Sequence, residues 1–200
     1  MRLILILTIF LFPFNYLESS ELDNCSYFTE KYSKVFNLPN KLLTSISLVE
    51  SGIKREKNTF RSWPWTLNVS GKSMYFNSKI EILKYLKENI NKKKSIDIGC
   101  MQINVRYHLR NFESLSHMVD PEENVKYAAT FLLQLFKKHR SWNEAISRYH
   151  SSVPIKKKRY LKKVYAYWKD LRQRKIKVVS NSNEIEKIKY FRNILAQEKI

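Results

Sequence analysis

The sequence predicts an α+β fold that is mostly helical, with one small antiparallel sheet. Apolar residues recur at spacings of three and four over most of the chain, which indicates amphipathic helices. Two segments, 63–76 and 96–104, instead combine alternating apolar residues with turn residues, as strands do. A length of 200 residues suits one domain with a substantial core and additions at its ends.

The chain carries a large excess of positive charge. Lys and Arg number 37 against 18 Asp and Glu, a formal net charge of +19. Such an excess favours contact with a polyanionic polymer or surface, although a Lys-, Asn- and Ile-rich chain can also reflect the base composition of its genome. No recognisable reading helix or nucleic-acid motif accompanies the charge, so no nucleic-acid partner is expected.

Residues 1–20 have the pattern of a signal peptide. Arg2 supplies a positive start, and residues 3–14 form an apolar run. This run is shorter than the roughly 20 residues that span a bilayer comfortably. We expect export to the periplasm with cleavage near residues 17–20; an uncleaved anchor is the alternative.

Cys25 and Cys100 are the two cysteines of the chain. An even count in an exported protein predicts a disulfide, which would tie the mature N-terminus to residues 99–101. In the chain-entropy model, closing so long a loop contributes up to roughly 4 kcal/mol. Two separate buried thiols are the alternative. Two cysteines and scattered histidines predict no metal site, and no cofactor is expected.

Two helices are predicted at the start of the folded part. Residues 27–36 have helical spacing, and Asn37-Leu38-Pro39 ends that segment. The apolar stripe of the second helix consists of Leu42, Leu43, Ile46 and Val49. This helix ends near Gly52, which we expect in the left-handed conformation that stops helices.

A small sheet is predicted after a charged loop at 54–62. Residues 63–69 are typical of a strand entry, Ser70-Gly71 of a turn and residues 73–76 of a returning strand. Residues 96–104 begin with strand-like alternation and are expected to add to this hairpin.

Capping signals predict the starts of the later helices. These signals are Ser78 with Glu81, Asp120-Pro121 with Glu123, and Ser141 with Glu144. A longer helix follows Pro154, with an apolar face of Leu161, Val164, Trp168 and Leu171. Residues 178–183 are predicted as a linker before a terminal amphipathic helix. We therefore divide the chain into a domain at 21–176 and a basic helical extension at 177–200.

Glu50 lies inside the apolar stripe of its helix, between Leu43 and Ile46 at about 100° per residue. Burial disfavours the ionised form of a carboxyl, and the negative end of the helix dipole opposes its charge as well. Both effects predict a raised pKa, which lets a carboxylic acid donate a proton near neutral pH. A half-exposed glutamate without a function is the alternative.

Four separated segments form a pattern when taken in order. They are Glu50-Ser51-Gly52, Gly99-Cys100-Met101-Gln102-Ile103-Asn104, Tyr127-Ala128-Ala129 and Ala145-Ile146-Ser147-Arg148-Tyr149. The pattern resembles the soluble lytic transglycosylase family, goose-type-lysozyme-like enzymes that cut bacterial peptidoglycan. Its marks are a catalytic Glu followed by Ser, a Gly-Leu-Met-Gln block and a late Ala-Tyr-Asn block. The resemblance covers residues 38–170 and implies a lysozyme-like α+β fold.

The resemblance implies that Glu50 is the catalytic acid/base. It would protonate the oxygen that links N-acetylmuramic acid to N-acetylglucosamine. It would then take a proton from the muramyl 6-hydroxyl, which attacks its own anomeric carbon and gives a 1,6-anhydro sugar. One carboxyl suffices, unlike the usual glycosidase pair. The expected partners are peptidoglycan glycan strands and secretion or wall-remodelling machinery, and the expected state is a monomer.

The resemblance also implies a set of substrate-binding residues. Gln102 and Asn104 match polar residues that line the sugar cleft, and Tyr149 matches a tyrosine expected to reach the catalytic carboxyl or the substrate. Ser51 would bond the carboxyl or help to end its helix, and Met101 would pack beneath the cleft. The alternatives are backbone hydrogen bonding for the two amides and a core position for Tyr149.

Three features depart from the family pattern. Cys100 stands where Leu is common, which the predicted disulfide would explain. His150 stands where Asn is usual, and would either replace its hydrogen bonds or add a pH-sensitive group. Trp63 and Trp65 lie outside the general pattern, and either could stack on sugar rings or belong to the core of the hairpin.

Two other functions fit the same residues. In a hydrolytic muramidase, Asp97 would help water to attack the bond that Glu50 protonates. A non-catalytic module that binds the cell wall or a polyanion would keep the fold without the reaction. The reaction products distinguish a muramidase from a transglycosylase, and a Glu50 substitution distinguishes a non-catalytic module from either enzyme.

Overall fold

The computed structural model describes residues 25–54, 60–90 and 95–179, with side chains to residue 173. Its helices are α1 (Cys25–Val35), α2 (Leu42–Ser51), α3 (Lys79–Asn89), α4 (Val105–His108), α5 (Leu115–Val119), α6 (Pro121–His139), α7 (Trp142–His150) and α8 (Pro154–Val179). Its strands are β1 (Gly52–Lys54), β2 (Phe60–Ser62), β3 (Thr66–Val69), β4 (Lys72–Tyr75), β5 (Ile96–Ile98) and β6 (Ile103–Asn104). The predicted α+β class with mostly helices is confirmed.

The predicted sheet forms with the strand order β4-β3-β5-β6, all antiparallel. β3 and β4 make the hairpin around Ser70-Gly71. β5 adds to β3 with Leu67 opposite Ile98, as the alternation in 96–104 predicted. A second pair, β1 with β2, lies where a loop at 54–62 was expected. Each of these strands has three residues, too few to show alternation.

α2 is buried between its neighbours. It packs against α1 on one side and α8 on the other. Leu42, Leu43 and Ile46 are fully buried, as the apolar stripe predicted. The indole nitrogen of Trp168 on α8 donates to the Asn40 carbonyl at 2.7 Å, which fixes α8 against the start of α2. Residues at the end of α2 are therefore held firmly relative to α8.

The three predicted caps form, because each cap side chain accepts from a free backbone N–H in the first turn. Ser78 accepts from Glu81, and Ser141 accepts from Glu144. Asp120 accepts from Glu122 and Glu123 at the start of α6.

α8 continues to Val179, two residues into the predicted linker. The rest of that linker, the terminal helix and the predicted signal at 1–20 lie outside the described residues. Among the described residues, no helix combines the length and apolar character that crossing a membrane requires.

Gly52 ends α2 for a reason other than the predicted one. Its φ of −64° and ψ of 130° are extended and open β1, so the expectation of a left-handed residue was wrong. A Cβ at this position would lie 2.3 Å from the Leu48 carbonyl oxygen and 2.3 Å from the Phe60 ring. Glycine is required here because the space is closed.

The turn at residues 99–101 is held from α6 by one buried side chain. Asn124 accepts from the Met101 N–H at 3.0 Å and donates to the carbonyls of Ile98 at 3.0 Å and Met118 at 3.1 Å. Gly99 has φ +81°, and a Cβ there would lie 2.9 Å from the Asn124 side chain. The glycine thus lets Asn124 approach the turn closely.

The same turn is also attached to α2 and α1. The hydroxyls of Ser47 and Ser51 donate to the Cys100 carbonyl at 3.0 and 2.7 Å. Cys100 is joined to Cys25 at the start of α1, so the predicted disulfide is confirmed. Three helices therefore converge on this short segment.

Asn124→Ala should destabilise the protein by about 3 kcal/mol. The substitution leaves a buried N–H and two carbonyls without their partner, and each such loss costs roughly 1–3 kcal/mol. Urea unfolding measures the effect. Gln134→Ala, an exposed change on the same helix, should stay within about 0.5 kcal/mol of wild type. Equal effects of the two substitutions would contradict the role assigned to Asn124.

Candidate active site

A cleft of about 680 Å³ lies between the sheet and the ends of α2 and α7. Its lining residues come from α2, from strands β3 to β6, and from α4, α6, α7 and α8. Those that bear on chemistry are Glu50, Asp97, Gln102, Asn104, Tyr149 and His150. The fold thus brings together residues from three of the four segments that formed the sequence pattern.

Glu50 reaches the cleft from the last turn of α2 and keeps partial exposure there. Burial raises its pKa to about 7 from an ordinary value of 4.5, and the charge of nearby Asp97 raises it further. A hydrogen bond from Tyr160 and the charge of Lys163 act in the opposite direction. Because burial outweighs these, the carboxyl can carry its proton near neutral pH. The predicted direction of the shift and its main cause agree with this environment.

Tyr160 contacts Glu50 directly, and sequence reasoning missed it. Its hydroxyl donates to Glu50 Oε1 at 2.5 Å from α8, 110 residues away in the chain. Burial raises the pKa of Tyr160 well above 10, so the hydroxyl keeps the proton that it donates. Tyr160, Val164 and Trp168 are buried at a spacing of four. That spacing was the available signal, but the predicted face began at Leu161, which is only half-buried.

Tyr149 lies in the cleft wall near Glu50, and its hydroxyl is bonded elsewhere. It donates to the Met101 carbonyl at 2.9 Å rather than to the carboxyl. The ring packs against Phe131, with centroids 5.7 Å apart. Tyr149 therefore joins α7 to the turn at 99–101 while presenting part of its surface to the cleft.

Gln102 and Asn104 both line the cleft, and both are also held from behind. Gln102 has φ +47°, and its amide nitrogen donates to the carbonyls of Gly99 at 3.0 Å and Thr66 at 3.3 Å. The Asn104 amide nitrogen donates to Asp97 Oδ1 at 2.6 Å and to Ser95 Oγ at 2.9 Å. Gln102 thus makes the backbone hydrogen bonds given as the alternative, whereas Asn104 bonds the side chains of Asp97 and Ser95. Contact of either amide with a sugar stays a prediction.

Asp97 stands on β5 in the same cleft. Burial raises its pKa, and the hydrogen bond from Asn104 lowers it. The side-chain oxygen Oδ1 of Asn104, which bonds Asp97 through its nitrogen, is buried and accepts no hydrogen bond from the described residues.

Ser51, Met101 and Trp65 lie behind the cleft, with exposed fractions of 2%, 0% and 4%. Ser51 bonds the Cys100 carbonyl, not the Glu50 carboxyl, and Met101 packs beneath the cleft in the core. Trp65 belongs to the core of the hairpin, so the sugar-stacking role considered for it is not available. Trp63 is half-buried, and its indole nitrogen donates to the Phe76 carbonyl at 2.8 Å.

His150 lies at the edge of the cleft and stacks on Tyr160. The two rings are nearly parallel, at 3°, with centroids 4.5 Å apart. Burial lowers the pKa of His150, and the charges of Lys156 and Lys163 lower it as well. The imidazole thus acts as a flat neutral surface that fixes the ring of Tyr160. Across the part of the chain that the structure describes, no group of three or more His, Cys, Asp or Glu could hold a metal ion.

A mostly helical domain with a small antiparallel sheet and a polar cleft that holds a carboxyl of raised pKa is typical of a lysozyme-like fold. The chain belongs to the transglycosylase SLT domain family, which matches residues 27–172. The predicted family and the lysozyme-like fold are thereby confirmed. No curated protein matches the chain, and no solved structure matches it. Membership indicates a transglycosylase-type function on peptidoglycan, a substrate that is consistent with a location outside the cytoplasm.

Glu50 should make the stability of the protein depend on pH. The folded protein holds a proton at a pKa of about 7, against 4.5 for an ordinary glutamate. The stability that this proton confers is complete below about pH 4.5 and is lost as the pH rises through about 7. Above that pH, the wild type carries a penalty of about 3 kcal/mol that Glu50→Gln avoids.

Urea unfolding at pH 4.5 and pH 8 measures this effect. The free energy of unfolding of Glu50→Gln relative to wild type should rise by about 3 kcal/mol between the two pH values. Glu88→Gln removes an exposed carboxyl of α3 and controls for the general effect of net charge. A relative stability of Glu50→Gln that is the same at both pH values would contradict the burial argument.

Proposed function

We propose that the protein is a periplasmic lytic transglycosylase that cleaves the β-1,4 bond between N-acetylmuramic acid and N-acetylglucosamine and leaves a 1,6-anhydro end. Glu50 is the general acid and then the general base. The observation that supports this best is a carboxyl with a pKa of about 7 at the floor of the cleft, bonded by Tyr160. A general acid works best when its pKa lies near the working pH.

The first step is protonation of the leaving group. The Glu50 carboxyl gives its proton to the glycosidic oxygen, the bond from the muramyl anomeric carbon to that oxygen breaks, and N-acetylglucosamine leaves with a free 4-hydroxyl. Because Tyr160 donates to Oε1, we assign the transferred proton to Oε2. The carboxylate that results is stabilised by the Tyr160 hydroxyl, because a donor bonded to a carboxylate favours the charged form.

The second step returns the proton. The Glu50 carboxylate takes the proton of the muramyl 6-hydroxyl, and that oxygen bonds to the anomeric carbon to close the anhydro ring. Glu50 is again a carboxylic acid at the end of the cycle, so no second carboxylate is required. The raised pKa serves both steps, because neither proton state of Glu50 is strongly favoured near neutral pH.

Gln102, Asn104 and Tyr149 are the residues we assign to substrate contact, from their positions in the cleft wall. Amides offer donors and acceptors to hydroxyl and N-acetyl groups without charge. Ser51 and Met101 act from behind the cleft by positioning the segment that carries Gln102 and Asn104. A monomeric state and contact with secretion or wall-remodelling machinery remain predictions.

A hydrolytic muramidase is the second candidate, and Asp97 is the observation that favours it. This carboxyl lines the same cleft, and its charge raises the pKa of Glu50. Burial raises the pKa of Asp97, and the hydrogen bond from Asn104 lowers it. The nature of the product separates the two reactions.

Purified sacculi digested with the wild type should give muropeptides that end in 1,6-anhydro-N-acetylmuramic acid. By mass spectrometry these are one water lighter than the corresponding reducing ends. Glu50→Gln should lower the rate by a factor of roughly 100–10,000, because a positioned general acid contributes that much. Glu88→Gln, on the exposed face of α3, should keep the wild-type rate.

Two outcomes would contradict the proposal. Reducing ends alone would favour the muramidase, and Asp97→Asn should then also cause a large loss of rate. If the wild type and Glu50→Gln clear sacculi equally, the result would favour a non-catalytic wall-binding module. Retention of the Glu50→Gln fold, checked by circular dichroism, is needed before a loss of rate is assigned to chemistry.

A further inference from the structure

A second pocket, of about 310 Å³, adjoins the cleft on the side of α8. Its lining includes three cationic side chains, Lys156, Arg159 and Lys163, together with Glu50. The cleft and the pocket share Val49, Glu50, His150 and Lys156. A branched molecule whose main chain lies in the cleft beside the Glu50 carboxyl would therefore place a side branch in the pocket.

The helical repeat places these cations on one face of α8. Lys156, Arg159 and Lys163 occupy positions i, i+3 and i+7, and Tyr160 lies between them at i+4. The face that bonds Glu50 through Tyr160 thus carries three positive charges around the same point. These positive charges act on the catalytic site. Lys163 lowers the pKa of Glu50, and Lys156 and Lys163 lower the pKa of His150.

A second feature of Lys156, Arg159 and Lys163 is that, among the described residues, none of them is in an ion pair with a carboxylate. On the same helix, Lys157 pairs with Glu144 at 2.7 Å, and Arg148 of α7 bonds the same oxygen at 2.8 Å. Three positive charges against the single carboxyl of Glu50 in the described lining of the pocket create a positive potential that attracts an anion.

We propose that this basic pocket binds a carboxylate of the peptide branch carried by the N-acetylmuramic acid residues of the substrate. The inference rests on the proposed function, since it is the glycan bound at Glu50 that brings the branch to the pocket. Lys and Arg offer only donors, and their hydrogen bonds to a carboxylate are charge-assisted. The pocket thus selects glycan strands that still carry their peptides over strands that have lost them.

The test compares glycan strands with their peptide branches and the same strands after an amidase has removed them. The wild type should cleave the branched strands with a kcat/KM about tenfold higher, as expected for a hydrogen bond to a charged group. In K156Q/R159Q/K163Q the ratio of the two kcat/KM values should fall to about one. The ratio is the readout because loss of Lys163 also affects Glu50 itself.

The matched control is K158Q/K162Q/K169Q, which removes the same charge from exposed positions of α8 outside both the cleft and the basic pocket. It should keep the wild-type ratio. A control ratio that also falls to one would mean that net charge, and not the pocket, attracts the polymer. Equal kcat/KM values of the wild type on both substrates would overturn the proposal while leaving the transglycosylase function intact.

Binding separates the two proposals if neither substrate is cleaved. Absence of product from both would contradict the proposed function alone. Glu50→Gln, bound to immobilised strands of each kind, then tests the pocket directly. Binding about tenfold tighter to the branched strands, lost in the variant that also carries K156Q/R159Q/K163Q, would support the pocket. Equal binding to both kinds of strand would overturn it.

Discussion

The hydrogen bond between Tyr160 and the buried Glu50 carboxyl is the interaction on which the site depends. Burial raises the pKa of Glu50 from its ordinary value of 4.5, and the hydrogen bond from Tyr160 lowers it. The tyrosine stabilises the charged form enough to bring the pKa to about 7. The fold accepts a carboxyl in an apolar stripe because α8 supplies this donor. The hydrogen bond from the Trp168 indole to the Asn40 carbonyl holds α8 in place.

The turn at residues 99–101 is the second element that the cleft requires. It connects β5 to β6, so it determines where Gln102 and Asn104 enter the cleft. Asn124, Ser51 and the disulfide hold it from three different helices. The cysteine at position 100, a departure from the usual leucine of the family pattern, is thus part of the support for the cleft floor. Ser51 contributes through this turn and not through Glu50.

The parts of the structure that depend on local sequence could be predicted, and those that depend on distant packing could not. Caps such as Ser78 form because the accepting side chain and the backbone N–H that donates to it lie three residues apart. The burial of Glu50 and the direction of its pKa shift were predictable from its position in the apolar stripe of α2. Tyr160 lies 110 residues from its partner, and no local pattern pairs the two. The reason for Gly52 was predicted wrongly because a glycine can be required either for a left-handed backbone or for close packing. Only the position of Phe60 in the fold shows that close packing is the reason here.

The pKa of Glu50 in the free protein tests the central claim most directly. Protein labelled with ¹³C at the glutamate side-chain carboxyl is titrated by NMR, and the Glu50→Gln variant assigns the signal. The account predicts a midpoint near 7, moved upward in Tyr160→Phe because the donor that favours the charged form is lost. A midpoint near the ordinary value of 4.5 in the wild type would contradict the account.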